Sequence, residues 1–354
     1  MARTVAYHVI RRIEEDDAFA NRALDAELAK ADLDDRDRRL ATELAYGVPT
    51  WRRAIDEVLE EFVHGGISGL DREVLWVLRL GVYQILFLDR IPDHAIVDEA
   101  VEMTREQANP GATSLVNAVL RSIIRADEVT WWEEADRERK IVRYLGKRYS
   151  IPNWIANRLV QLHGEERAEE LAEAFNKRPP IYLRVLGDDT PEDDAELDAE
   201  VEPVDGIPKA HRSQGMSGAV ASALSERRWI IQDIGSQLIS RYVGAESGQR
   251  VLDACAGLGG KTFGLVDDVG SEGLVVAVDS IKWKVDKLEQ VAEQMDFGPY
   301  VETHGVELEA FAGQAAPFER VLVDAPCSAL GILRRHPEIR WNRHVSDIPS
   351  VVKL

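Results

Sequence analysis

VLDACAGLGGKT, residues 251–262, is an apolar run that ends in an acid and opens into glycines. Val251 to Ala254 reads as a buried strand. The glycines read as a tight turn that a ligand can approach closely, and the residues after them as a helix. Strand-like runs at Arg250–Ala254, Leu274–Val278 and Arg320–Val323 alternate with helical stretches. That alternation is the spacing of βαβ units and a parallel sheet. Asp279 closes the second run, 22 residues after Gly257, where an acid can accept hydrogen bonds from both ribose hydroxyls.

A glycine turn of this kind serves NAD, FAD and S-adenosylmethionine alike. Three features favour S-adenosylmethionine. The first strand ends in Asp253, an acid beside the loop, which suits a cationic sulfonium. The full G-x-G-x-x-G spacing of dinucleotide sites is missing. And the strand carrying Asp324-Ala325-Pro326-Cys327 lies downstream, where its end is expected at the same sheet edge.

That strand opens VLVDAPCSALGILRRHPEIRW, residues 321–341. The chain has two cysteines, Cys255 and Cys327, too few for a disulfide framework or a CxxC zinc site. A lone cysteine is most often inert core. Cys327, after a proline at a strand end, is expected at a pocket instead. Methylating C5 of cytosine needs such residues. A thiolate adds to C6, an acid near N3 stabilises the developing charge, C5 takes the methyl group, and a base removes the C5 proton so that the thiol leaves. Asp324 and Cys327 supply the residue types for part of this.

Net charge is −20, which excludes a protein that coats nucleic acid by general electrostatics. The charge is uneven. Residues 188–205 hold ten acids and no base and read as a surface loop. From Cys327 to His344 the balance reverses, with Arg334, Arg335, Arg340 and Arg343 against Glu338 alone. For such a cluster a solvated face is the ordinary reading and an RNA surface the sharper one. No apolar run reaches membrane-spanning length and no signal-peptide core precedes the first helix, so a cytoplasmic protein that needs no membrane is expected.

Residues 1–126 read as helices almost throughout. Apolar positions recur at helical spacing in Val5, Val9, Ile10 and Ile13, and again in Val74, Val77, Leu78, Val82, Ile85 and Leu86, with Asp71 as N-cap of the second set. A charged helical connector follows (131–149). Ser150-Ile151-Pro152 reads as a helix start, with Ser150 capping and Pro152 in the first turn. Ile181–Val185 reads as a short strand. The fold expected is multi-domain: an all-α domain over 1–126, a connector and small α/β region over 127–228, and a Rossmann-like domain over 229–354.

LDACAGLGGKT and DAPCSALGILRRHPEIRW together resemble the RNA (cytosine-5) methyltransferases of the RsmB (Sun/Fmu) type, which modify 16S ribosomal RNA. The resemblance spans essentially the whole chain. ELAYGV (43–48), LRLGVYQ (78–84), IPDHA (91–95) and VNAVLR (116–121) resemble that family's NusB-like domain. SIPNW (150–154), LRV (183–185) and Gln232-Asp233 resemble its middle region. The resemblance implies an S-adenosylmethionine-dependent rRNA methyltransferase in which Cys255, Ala256, Gly257, Leu258, Gly259, Gly260 and Lys261 line the cofactor site. It implies that Asp279 holds the ribose and that Asp324 lies beside the methionine end and the target base. It makes Cys327 a catalytic residue that assists release of the methylated base, the attacker being a second cysteine in a Thr-Cys-Ser segment on the next strand. The implied partner is small-subunit rRNA and the expected state a monomer. Arg121, Arg334 and Arg335 are the candidates for phosphate contact. For Leu78, Leu80, Val82 and Leu120 helix packing is the favoured role.

The chain departs from the family pattern in places. No Thr-Cys-Ser segment occurs in it, and the sequence ends at Leu354, before the strand that should carry one. The main nucleophilic cysteine is therefore expected beyond Leu354, and a C-terminally truncated methyltransferase domain with poor turnover is expected. Gly257-Leu258 stand where the family has Ala-Pro, and Leu186 where it has Asn. Of the acids near the third strand, Glu307 is a weak candidate for the adenine side. Two other readings remain: a non-catalytic RNA-binding protein with a relic cofactor fold, and a nicotinamide-dependent oxidoreductase, which the glycine loop alone supports.

Overall fold

The computed structural model describes residues 1–187, 195–226, 229–313 and 316–352. The chain forms two compact units. One contains Met1–Arg178 together with the described residues from Ser328 on. The other is Pro179–Cys327. Among the described residues no helix is long and apolar enough to cross a membrane.

The first unit is helical. Its main helices are α1 (Ala2–Glu15), α2 (Ala20–Leu28), α3 (Asp35–Phe62), α4 (Arg72–Phe87), α5 (Asp93–Gln107) and α6 (Thr113–Arg125). The connector supplies α7 (Asp136–Arg139) and α8 (Ile141–Arg148), and α9 (Asn153–His163) and α10 (Glu165–Ala174) follow. Val5, Val9, Ile10 and Ile13 are buried on α1, as the helical spacing predicts. Leu78, Leu80, Val82 and Leu120 are core residues. The motif glycines are contact points. A Cβ on Gly81 would come within 2.8 Å of Leu120 Cδ2, and one on Gly47 would fall inside the Tyr83 ring. Tyr83 donates its hydroxyl to Glu43 Oε1 at 2.7 Å. Arg79, buried, forks onto both oxygens of Asp56 (2.7 and 2.9 Å) and reaches Glu14 Oε1 at 2.6 Å. These segments pack helices together.

Helix α3 is kinked. Pro49 lies inside it, and Trp51 has non-helical angles (φ −103°, ψ 15°). The backbone groups opened there find partners elsewhere. The Arg53 and Ala54 amides donate to Ser150 Oγ at 3.0 and 3.4 Å. The Pro49 carbonyl accepts from Trp341 Nε1 at 2.6 Å and the Thr50 carbonyl from Arg340 Nη1 at 3.0 Å. Arg340 also donates to Asn176 Oδ1 and the Phe175 carbonyl, both at 2.8 Å. It is 1% exposed, and burial pulls its pKa down to about 9, so it remains charged at neutral pH.

Three expectations change here. Ser150 is not a cap: it is fully buried at φ +53° and its hydroxyl serves α3, while Pro152 takes the N-cap position of α9. Asp71 sits at the N-cap of α4 without capping, and its Oδ2 accepts from Asn109 Nδ2 at 3.4 Å. The stretch 327–344 is not a continuous basic surface. Arg340 and Glu338 are buried, and Glu338 Oε1 accepts from the Ala20 amide at 3.1 Å. This segment, grouped in the sequence with the Rossmann-like region, adds α17 (Ile339–Asn342) and α18 (Ile348–Val351) to the helical unit. The described residues end at Val352, so Leu354, beyond which the attacking cysteine is expected, lies outside the described residues.

The second unit holds two four-stranded sheets. Strands β1 (Ile181–Val185), β2 (Val201–Pro203), β3 (Ala210–Ser213) and β4 (Trp229–Ile231) form an antiparallel sheet in the order β2-β3-β1-β4. Helices α11 (Ala195–Asp198) and α12 (Gly218–Ser225) accompany it. Strand β4, grouped in the sequence with the region from 229 on, pairs with β1 instead. The surface loop expected over 188–205 falls partly on residues 188–194, outside the described residues. The rest is not all loop, because Val201 is buried beside Leu183 and Trp229 and starts β2.

Strands β5 (Arg250–Asp253), β6 (Leu274–Val278), β7 (Val301–His304) and β8 (Arg320–Leu322) form the parallel sheet, in the order β7-β6-β5-β8. Its helices are α13 (Ile234–Tyr242), α14 (Thr262–Val269), α15 (Lys282–Gln294) and α16 (Leu308–Ala312). β8 is an edge strand, with Val321 in it and Val323 just after it exposed. Arg184 ties the two sheets: from β1 it donates to the Gly264 carbonyl on α14 at 3.0 Å. Leu186 is buried against Ala256 and Phe263, which accounts for an apolar residue at that place.

Candidate active site

The glycine loop runs from β5 to α14. The Ala254 amide donates to the Leu322 carbonyl of β8 and the Ala256 amide to the Val278 carbonyl of β6, each at 2.9 Å, so both neighbouring strands pin the loop. Gly257 and Gly259 adopt φ +58° and +87°. A Cβ on Gly259 would meet the Phe263 ring at 2.8 Å and Leu288 Cγ at 3.0 Å, so this glycine lets the loop close onto α14 and α15. Nothing lies within 4 Å of the Cβ positions of Gly257 and Gly260, which leaves open space along the loop.

That space is a cleft of about 330 Å³, within the size range of small-molecule sites. Cys255, Ala256, Gly257, Leu258, Gly260, Lys261 and Asp324 line it, and the sequence named all of these. Gly259 is not among the lining residues because it faces the helices. Neither is Asp279, which stands behind the loop: its Oδ2 accepts from the Gly257 amide at 3.0 Å and its Oδ1 from the Ile281 amide at 2.9 Å. Cys327 is exposed, three residues beyond Asp324, and does not line the cleft.

The remaining walls are Ile231, Gln232, Asp233, Ser236 and Asp253. Gln232-Asp233 entered the sequence reading as a family segment without a role, and Asp253 only as a nearby charge. Ile231 and Ser236 were not anticipated, although an Asp followed by a helical apolar run marks a helix start there. Asp233 is indeed that N-cap, its Oδ1 accepting from the Gly235 amide at 2.9 Å. Gln232 donates Nε2 to the Gly260 carbonyl at 2.6 Å and holds the loop from the other side.

Asp253 is 1% exposed. Its Oδ2 accepts from Thr262 Oγ1 at 2.8 Å, while its Oδ1 is buried with no hydrogen-bond partner among the described residues. Burial pushes its pKa up to about 6, against the hydrogen bond from Thr262 and the charge of Lys261. Burial also pushes the Cys255 thiol up, helped by Asp253, Asp279 and Asp324, which keeps it protonated and a weak nucleophile. Lys261 Nζ is hydrogen-bonded to Asp324 Oδ2.

Among the described residues the walls carry three carboxylates, Asp233, Asp253 and Asp324, against one cation, Lys261. The buried acceptors Asp253 Oδ1 and Gln232 Oε1 have no partner among the described residues. A cleft with orphaned acceptors, excess acid and a glycine-lined floor fits a cationic ligand with amino donors. S-adenosylmethionine has that chemistry.

Comparison with known proteins shows a family likeness along the chain. The NusB family model matches residues 1–125 and the 16S rRNA methyltransferase RsmB/F model residues 242–354. The probable ribosomal RNA small subunit methyltransferase B of Synechocystis sp. is 30% identical over 363 residues, covering 100% of this chain and 80% of the relative. The ribosomal RNA small subunit methyltransferase B of Klebsiella pneumoniae is 32% identical over 329 residues, covering 90% and 73%. Among solved structures, PH0851 shares the fold with a TM-score of 0.77 at 22% identity, covering 99% of this chain and 79% of that one. A methyltransferase homolog protein from Pyrococcus horikoshii aligns with a TM-score of 0.50 at 21% identity, over 59% and 67%.

Proposed function

Because the chain belongs to the 16S rRNA methyltransferase RsmB/F family, we propose that it transfers a methyl group from S-adenosylmethionine to C5 of a cytosine in small-subunit ribosomal RNA. The observation that carries this reading is the acid-lined cleft joining the glycine loop to Asp324 at the end of the adjacent strand. The same reading makes the enzyme a cytoplasmic monomer.

When bound, S-adenosylmethionine supplies the methyl group from its sulfonium. Gly257 and Gly260 would leave room for it, and the acceptors of Asp253 and Gln232 would take its amino donors. Asp279 braces the loop through the Gly257 amide and is the candidate for the ribose. Lys261 positions the Asp324 side chain, which we assign to N3 of the base, where its carboxylic acid form would donate a proton as negative charge builds. Cys327 is assigned to release of the methylated base, when the C5 proton leaves and the bond from C6 to the attacking thiol breaks. The resemblance puts that thiol in a Thr-Cys-Ser segment that these 354 residues do not contain. The attack on C6 is assigned to neither thiol. Cys255 is held protonated, and the resemblance gives Cys327 the later step.

The RNA has candidates for phosphate contact in Arg121, Arg334 and Arg335. Arg334 gives its guanidinium to the Lys177 and Arg178 carbonyls at 2.8 and 2.5 Å, so its fork is largely taken up. Arg121 is exposed.

The test is transfer of labelled methyl groups from S-adenosylmethionine to unmodified small-subunit RNA, followed by digestion to nucleosides. Label in 5-methylcytidine, at the poor turnover expected of a chain without the Thr-Cys-Ser segment, is the expected result, and label in another nucleoside sinks the C5 assignment. RNA binding with no label supports the non-catalytic RNA-binding alternative.

A further inference from the structure

The helical unit has a second cavity, of about 410 Å³, where the start of α5 meets the end of α6. Asp93, His94, Val97, Arg121, Ile124 and Arg125 line it. The chain carries 63 Asp and Glu against 43 Lys and Arg, so an arginine here ordinarily finds an acid. These do not. Among the described residues Arg125 and His94 have no hydrogen-bond or ion-pair partner. Arg121 spends only Nε, on Asn117 Oδ1 at 2.8 Å, which orients its guanidinium and leaves both Nη groups unspent.

The backbone adds donors. Pro92 is the N-cap of α5 and gives no side-chain cap. Its carbonyl takes the Ala95 and Ile96 amides at 3.0 and 3.2 Å, and the Asp93 and His94 amides at the cavity rim have no intrahelical acceptor. Arg125 in the last turn of α6 also complements that helix dipole, which accounts for one arginine. It does not account for a second arginine, an imidazole and a helix N-terminus around the same cavity, opposed among the described lining residues by Asp93 alone.

We propose that this cavity seats a backbone phosphate of the RNA, with Arg121 and Arg125 as the guanidinium forks and His94 and the first amides of α5 completing the ring of donors. The inference rests on the rRNA reading above and extends it beyond Arg121. Guanidinium forks match the geometry of a phosphodiester. All four lining residues that bear charge or an imidazole are exposed, which suits a long polymer passing over the surface.

The full-length chain with Arg121→Gln and Arg125→Gln together is titrated with unmodified small-subunit RNA across a range of salt. Affinity is expected to fall roughly tenfold at low salt, and the slope of log K against log salt to flatten by about 0.7–0.9 per phosphate lost. Melting temperature and S-adenosylmethionine binding should not change, and Arg121→Lys with Arg125→Lys should restore most of the slope. If the unsubstituted chain does not bind RNA, the rRNA reading itself has failed. If it binds and the Gln variant keeps the same affinity and slope, the phosphate site is overturned. Inorganic phosphate supplies the other arm: a variant that loses stabilisation by phosphate yet keeps full RNA affinity marks a small-anion site and overturns the RNA assignment.

Discussion

Lys261 Nζ is hydrogen-bonded to Asp324 Oδ2, joining the glycine loop after β5 to the turn after β8 across 63 residues of chain. Two strand ends that pair side by side, Asp253 opposite Leu322, bring these groups together. The contact aims the one carboxylate assigned to the base.

Lys261→Met should therefore act on turnover more than on cofactor binding. A fall in kcat of about 10²-fold is expected, in the range for losing a positioned electrostatic partner in an active site. Asp324→Asn should cost more. Methyl transfer and calorimetric S-adenosylmethionine binding, measured side by side, decide it. Equal losses in both would make Lys261 a cofactor ligand only.

Asp253 carries a pH dependence of stability. Its folded pKa, about 6, lies above the ordinary carboxyl value of 3.8 expected when unfolded. Between those values the folded chain binds more protons than the unfolded one, so stability falls as pH rises from about 4 to about 6 and is level above. The shift amounts to about 3 kcal/mol. Asp253→Asn should remove that slope while keeping an acceptor for Thr262. Urea unfolding at pH 4.5 and 7 for both proteins checks it. A slope that persists in the variant belongs to another group.

Two glycines of one loop should separate packing from ligand room. Gly259→Ala places a methyl group against Phe263 and Leu288 at φ +87° and should destabilise the α/β unit by about 2 kcal/mol or more. Gly260→Ala meets no atom within 4 Å and projects into the cleft region. It should leave stability within about 0.5 kcal/mol and still weaken S-adenosylmethionine binding.

The kink in α3 predicts a coupled set. Arg340→Met strands the Thr50 and Phe175 carbonyls and should cost about 3–5 kcal/mol in the helical unit. Trp341→Phe removes one bond to Pro49 and should cost about 1–2 kcal/mol. Chemical denaturation of the full chain, followed by a probe in the helical unit, reads both. An unchanged midpoint for Arg340→Met would mean the kink does not need its partners.

Much of this was readable from local pattern. Strands β5, β6 and β8 follow apolar runs bounded by charge or glycine, and the loop residues 255–258, 260 and 261 line the cleft because strand-turn-helix geometry is set over a dozen residues. What escaped depends on distant partners. Ser150 looks like a helix cap, since Ser before Pro usually is one, and only α3, almost a hundred residues earlier, draws its hydroxyl away. Arg340 looks like part of a basic surface. Nothing near it in sequence says that five carbonyl and amide oxygens of the helical unit surround it. Gln232 could have been suspected from its place beside Asp233, but its hold on the Gly260 carbonyl could not.

The bond from Arg340 to the Thr50 carbonyl spans 290 residues. A ribosome that has made α1 through α10 has not yet made the side chains that close the kink. The whole α/β unit must emerge first. Until then the Pro49 and Thr50 carbonyls at the bend in α3 lack the partners that the finished fold gives them, so the first-made unit is completed last. The nascent chain acquires its cofactor loop before its helical unit is finished.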